Sequence, residues 1–427
     1  MADDANDDAT ASTPPPPPDD GGGTTTANRN RLIILAAVAA AIVLVGAVLL
    51  LRSGDDEEVA EPTTTTVAET TTTTVAETTT TTEAEPEPEM ADPAYAEPGP
   101  YAAGVTSFAL DDGRFVEVWY PADPAGTAGV EPAVFEIRDV VPPELASLVP
   151  DELNPEYVTD AYPDVPPAAG GPFPVLGFSH GFAGYPTMYQ FLGSHLATWG
   201  IVMVAPDHVE RDLFAAVSGQ ITEGDDAAVL LAAVDAAVAA AEGPLVGLLD
   251  GTRIATAGHS AGVRAATTAA VTDDRVAAVV AFAGGSEESD VPEVPTLAVA
   301  GGLDGVIPLD RIIGFVEQLP GGQRFVVVDE AGHNAFTDIC LIGREQGGLL
   351  GIVDELGLAV DERLLGLFSD GCTAEFLPAE EAWPAARHVT TAHLRAAWGI
   401  DDEPRGLDDA TAAGFAPVGV SWWSGPG

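Results

Sequence analysis

Lysine is missing altogether: all sixteen basic residues of this 427-residue chain are arginines, set against 67 acidic ones for a formal net charge of −51. A polyanion of this kind repels phosphate backbones and offers no basic stripe to track one, so nucleic acid is excluded as a partner. The acidity reads as a solvated surface that keeps the protein soluble. Cysteine is nearly absent as well. Cys340 and Cys372 are the only two, and no cluster of Cys and His stands at zinc-like spacing, so no metal site is expected. Charged residues make up only 19% of the chain against 46% hydrophobic, which leaves ample material for a buried core.

The first hundred residues contribute little to that core. Residues 1–31 are rich in Asp, Pro, Gly and Thr and read as a disordered tail. Residues 32–51 carry no charged or polar side chain, and twenty residues at helical rise span about 30 Å, the thickness of a bilayer's hydrocarbon core. No small-residue cleavage site follows the run, so a spanning helix is expected rather than a cleaved leader. Arg29 and Arg31 precede it and Arg52 alone follows, which orients the tail to the cytoplasm and the remainder outside the cell. Residues 52–98, with the repeated strings TTTTVAE, TTTTTVAE and TTTTTEAE, read as an extended, disordered Thr/Pro/Glu stalk.

From residue 99 to 427 the pattern is that of one folded domain. Val105–Leu110 and Phe115–Tyr120 form strands around the turn Asp111-Asp112-Gly113. After a Pro-rich stretch at 121–171, short apolar runs alternate with helical segments. Phe173–Phe178, Gly200–Ala205, Arg253–Ala257, Val276–Ala283, Thr296–Ala300 and Arg324–Val328 are expected strands. Tyr189–Trp199, Ala227–Ala241, Val263–Val271, Leu309–Leu319 and His388–Trp398 are expected helices. Continuous apolar strands alternating with helices predict an α/β fold, with a mostly parallel central sheet covered on both faces and its active site at the carboxyl ends of the strands.

Gly258-His259-Ser260-Ala261-Gly262 falls between a strand and a helix, the context that a G-x-S-x-G nucleophile elbow requires. The small residues permit a tight turn that lifts the Ser260 hydroxyl clear of the sheet. Three histidines lie downstream of it. His388 and His393 fall in a helical pattern that suits packing, whereas His333 lies in a loop just after the strand Arg324–Val328, where a general base belongs. Asp304 lies in the glycine-rich loop after Thr296–Ala300 and is the expected acid; Glu287, Glu288 and Asp290, after the preceding strand, compete for that role. An acyl-transfer oxyanion needs preorganised N–H donors. The Ala261 N–H is one candidate, and the Phe182 N–H, in Ser179-His180-Gly181-Phe182 after an earlier strand, is the other.

These segments resemble a known group. The stretch from Pro172 to His208 and the elbow are similar to platelet-activating-factor acetylhydrolases among the dienelactone-hydrolase-like α/β-hydrolases. The block Thr296–Pro308 and the loop Gly332–Phe336 resemble bacterial cutinases and polyester hydrolases. The resemblance implies an α/β-hydrolase fold, serine-dependent hydrolysis of a small or lipid-like carboxylic ester, no cofactor, and Phe182 as an oxyanion donor. The acetylhydrolases carry their acid after the strand that here ends in Ala281-Phe282-Ala283, where no Asp stands, so the acid position looks cutinase-like.

Outside the cell an even pair of cysteines bridges, so Cys340 and Cys372 are expected to form a disulfide bracing the His333 loop. Residues 341–385, with helical apolar spacing, are a candidate cap. Two other readings keep the same residues: a cell-surface binding protein on a hydrolase fold that has lost catalysis, and a peptidase or acyltransferase with the same triad.

Overall fold

The computed structural model describes residues 93–422 apart from 141–145, 148, 321–322, 356–360 and 403. The expected tail, the expected spanning helix at 32–51 and most of the expected stalk lie outside the described residues. Among the described residues, no helix is long and apolar enough to cross a membrane.

A ten-stranded sheet organises the fold. Its strands are β1 (Ala102–Ala109), β2 (Phe115–Ala122), β5 (Ala161–Pro163), β6 (Phe173–Ser179), β7 (Val202–Pro206), β8 (Leu249–His259), β9 (Val276–Phe282), β10 (Thr296–Gly301), β11 (Arg324–Val328) and β12 (Val420–Trp422). Their spatial order is β12-β11-β10-β9-β8-β6-β7-β2-β1-β5. The run from β7 through β6, β8, β9 and β10 to β11 is parallel, while β2 joins β7, and β12 joins β11, antiparallel. A separate pair, β3 (Val134–Phe135) and β4 (Tyr157–Val158), stands outside the sheet.

The strands are apolar throughout because both faces are covered. Side chains alternate between faces with period two. Leu297 and Val299 of β10 join one core cluster while Ala298 and Ala300 join another, and in β11 Val326 and Val328 part from Phe325 and Val327 in the same way. The helices Gln190–Thr198 and Ala379–Ala397 contribute to the first cluster, and Leu309–Val316 to the second. Asp226–Val238 covers β6 and β7 from the second side through Ala233, Val234 and Ala237.

Most expected elements are present, with some corrections. The stalk expected to run to residue 98 gives way to packed structure earlier. Tyr95 is 2% exposed, its ring lies edge-on to Trp199, and its backbone N–H donates to His388 Nδ1 at 3.0 Å. A buried aromatic outweighs a Pro-rich, acidic composition. The last long helix begins at Ala379 rather than His388 and carries Pro384 inside it, which hides its first half from a propensity reading. The three-residue strand β5, which pairs in parallel with β1 at the sheet edge, falls within the Pro-rich stretch and has no sequence signal of its own. At the opposite edge Trp422 pairs with Val326, so the C-terminal strand closes that side.

Candidate active site

Strand β8 ends at His259, and the helix Gly262–Thr272 begins two residues after Ser260. Between them Ser260 holds φ +54°, a left-handed conformation that costs a non-glycine residue about 1–2 kcal/mol. Its N–H donates to the Phe282 carbonyl at 2.9 Å, which ties the strained turn to β9. The flanking glycines are steric necessities. A Cβ on Gly258 would overlap the Gly262 backbone, and one on Gly262 would collide with the Ser179 and His180 carbonyl oxygens.

Asp304 lies past the end of β10 and His333 past the end of β11. His333 Nδ1 donates to Asp304 Oδ2 at 2.8 Å, with both side chains fully buried. The other oxygen of Asp304 accepts from the Val306 N–H at 2.9 Å and the Ile307 N–H at 2.7 Å, so both carboxylate oxygens are engaged. His333 Nε2 is buried and has no protein hydrogen-bond partner among the described residues. The competing acids do not reach this ring: Asp290 accepts from the Thr268 hydroxyl, and Glu288 lines a cleft.

The elbow and the His333 loop meet through His259, and among the described residues no hydrogen bond joins the Ser260 hydroxyl to His333 Nε2. The His259 and His333 rings lie 4.8 Å apart, and His259 Nε2 donates to the His333 carbonyl at 3.0 Å. Since that carbonyl can only accept, Nε2 carries the proton, and Nδ1 accepts from the Tyr189 hydroxyl at 3.1 Å. Tyr189 in turn accepts from the Gly181 N–H at 3.2 Å. A continuous chain of hydrogen bonds thus joins the Ser179–Phe182 loop, the elbow and the His333 loop. Burial first, and then the neighbouring His333, hold the His259 imidazole down to about 3, so it stays neutral beside His333.

The Ser179–Phe182 loop passes over the elbow; a Cβ on Gly181 would lie 3.2 Å from the Ser260 Cβ. Buried Arg211 holds the loop from below. Its guanidinium donates to the His180 carbonyl at 2.6 Å, the Gly181 carbonyl at 2.8 Å and the Ser179 hydroxyl at 3.0 Å, and it pairs with Asp226 at 2.8 Å. With these acceptors engaged, the Phe182 and Ala261 N–H groups donate to no other protein group among the described residues. Both residues line a cleft of about 1180 Å³ together with Ser260 and the apolar side chains of Val217, Ile307, Leu364 and Leu367. The last two belong to the helix Glu362–Ser369, inside the candidate cap segment.

Cys340 and Cys372 form the expected disulfide. Two residues before Cys372, Asp370 does what the sequence does not announce. One carboxylate oxygen accepts from the His333 N–H at 2.6 Å and the other from the Gly305 N–H at 2.9 Å, so a single side chain clamps the His333 loop to the Asp304 loop. Replacing Asp370 by Ala is expected to lower kcat/KM by about 10- to 100-fold, because small displacements of reacting groups are costly. Stability should fall by about 1–3 kcal/mol for the two orphaned donors. Ester turnover beside a thermal melt checks both, and a stability loss with unchanged turnover would deny the clamp any part in positioning. Removing both cysteines (Cys340→Ala with Cys372→Ala) opens a cross-link of sequence separation 32 and is expected to cost about 3–4 kcal/mol in urea denaturation.

Residues 162–341 match a family model described as PETase, PET hydrolase-like, and that stretch contains Phe182, Ser260, Ala261, Asp304 and His333. A ferulic acid esterase from Streptomyces cinnamoneus is similar in structure, with a TM-score of 0.54 at 21% identity over 77% of this chain and 98% of that one. No curated protein matches the sequence.

Proposed function

We propose that this chain, an α/β-hydrolase by its sheet order and its likenesses, is a carboxylic ester hydrolase working through an acyl-enzyme on Ser260. The observation that carries the reading is the state of His333. Its Nδ1 is held by a fully buried carboxylate, and its Nε2 is buried without a partner beside the elbow. A nitrogen so placed is a proton acceptor awaiting a hydroxyl, and the contact tightens when substrate fills the cleft.

In the proposed reaction, His333 Nε2 takes the Ser260 proton as the serine oxygen attacks the acyl carbon. Asp304 fixes the tautomer and stabilises the imidazolium. The tetrahedral oxyanion accepts from the unspent N–H groups of Phe182 and Ala261, each worth about 3 kcal/mol of transition-state stabilisation. Collapse expels the alcohol, which takes the proton from His333. Water then repeats the sequence in reverse on the acyl-enzyme. His259 stays neutral throughout, so it does not repel the imidazolium. The PET hydrolase-like match and the ferulic acid esterase likeness support ester over amide chemistry, and no observation favours a peptidase, an acyltransferase or a non-catalytic binder.

The proposal places this domain outside the cell on a single anchor at Leu32–Leu51. Support comes from the arginine asymmetry around that run and from the Cys340–Cys372 bridge, which persists in oxidising compartments. Hydrolysis of a p-nitrophenyl ester series by the full-length protein tests the activity. A folded protein inert toward every member would remove the reading.

A further inference from the structure

In a chain with sixteen basic residues against 67 acidic ones, three arginines, Arg264, Arg311 and Arg363, line the cleft that opens on Ser260. They come from three separate segments. Arg264 is in the helix that follows the elbow, Arg311 in the helix that follows the acid loop, and Arg363 in the helix Glu362–Ser369. Several arginines elsewhere sit directly on carboxylates, Arg114 on Glu210 at 2.8 Å, Arg275 on Asp235 at 2.7 Å and Arg344 on Glu380 at 2.7 Å, while Arg324 and Arg387 hydrogen-bond to His393 and to the Phe191 carbonyl. The cleft arginines do not sit on a carboxylate in this way. Among the described residues Arg311 and Arg363 make no ion pair within 4.0 Å, and Arg264, its side chain 73% exposed, only reaches Asp226 at 4.0 Å.

Three arginines brought together from separate segments thus line one cleft, the cleft where substrate must bind. The cleft has two acids of its own. Asp361 spends an oxygen capping its helix through the Arg363 N–H, and Glu288 hydrogen-bonds to Ser286 and feels Arg311. Three guanidinium groups against two carboxylates leave the lining net positive on a strongly negative molecule. Beside the charges run the apolar side chains of Val217, Ile307, Leu364 and Leu367.

Resting on the ester-hydrolase reading, we propose that the natural substrate is an anionic ester: an apolar body carrying the scissile bond and, further out, a carboxylate that the three arginines receive. The half-ester of a dicarboxylic acid has this form. Arginine suits the task because its planar fork meets a carboxylate with two parallel hydrogen bonds. The positive cleft also draws an anion through the repulsive field of the surrounding protein, an effect that salt screens.

Mono-p-nitrophenyl adipate and p-nitrophenyl hexanoate form the test pair, since they share a six-carbon acyl chain and differ by a terminal carboxylate. The readout is the ratio of their kcat/KM values with the full-length protein. Each exposed guanidinium contributes up to about fivefold. In the triple variant Arg264→Gln, Arg311→Gln, Arg363→Gln the adipate-to-hexanoate ratio is expected to fall about tenfold or more, mainly through KM for the adipate. In the wild type the ratio should also fall as NaCl is raised to about 1 M, where the Debye length is about 3 Å, and in the variant it should not. A triple variant whose ratio stays within twofold of wild type overturns the inference and leaves the ester-hydrolase reading standing. A folded wild type that cleaves neither ester overturns both.

Discussion

Ser260→Ala is expected to lower kcat/KM on a p-nitrophenyl ester by about 10⁴-fold or more while leaving the fold intact. The size follows from what the hydroxyl does alone. Without it His333 has no proton to take, and no acyl-enzyme forms; what survives is water attack helped by the Phe182 and Ala261 donors and by binding. Stability should hold or rise slightly, because alanine at φ +54° keeps the strain of the turn but loses no hydrogen bond made by the serine side chain. A thermal melt paired with the initial rate separates lost chemistry from lost structure. Activity within tenfold of wild type in a folded Ser260→Ala protein would end the proposed mechanism.

Asp304→Asn is expected to lower kcat by about 10⁴-fold. The carboxylate uses one oxygen for His333 Nδ1 and the other for the Val306 and Ile307 N–H groups. An amide offers one oxygen and one NH₂. If the oxygen stays with the two backbone donors, the NH₂ faces Nδ1, the imidazole must carry its proton on Nε2, and the base is disabled. If the amide turns round, two half-buried N–H groups lose their acceptor at about 1 kcal/mol each. Either way His333 Nε2 loses its role as acceptor, or the loop is weakened. A pH–rate profile and a melt tell the two outcomes apart, and a variant retaining a tenth of wild-type kcat would remove Asp304 from the acid role.

The residues that could be read from the sequence are those whose signal is local. The elbow occupies five consecutive residues between a strand and a helix, and Asp304 and His333, which the structure pairs, stand in loops after parallel strands. The supporting residues were not legible. Tyr189 reaches His259 across 70 positions, Arg211 reaches Ser179 across 32, and Asp370 reaches His333 across 37. Each is an ordinary residue until folding supplies its partner. Tyr95 was lost for a related reason: one buried ring carries too little weight in a composition window full of Pro and Glu. β5 was too short to register, and Pro384 masked the start of the last long helix.

The hydrogen-bonded path from Gly181 through Tyr189 and His259 to His333 bears on how this protein can change over time. Residue 259 is the variable position of the elbow pattern, yet here both ring nitrogens are committed, so a swap at that position disturbs the Ser179–Phe182 and His333 loops at once. The helix Glu362–Ser369 is tied to the His333 loop through its backbone, the Leu367 carbonyl accepting from Asn334 Nδ2 at 2.6 Å, while its side chains Arg363, Leu364 and Leu367 line the cleft. New specificities should therefore arise by drift in those three side chains, with the backbone beneath them inherited unaltered.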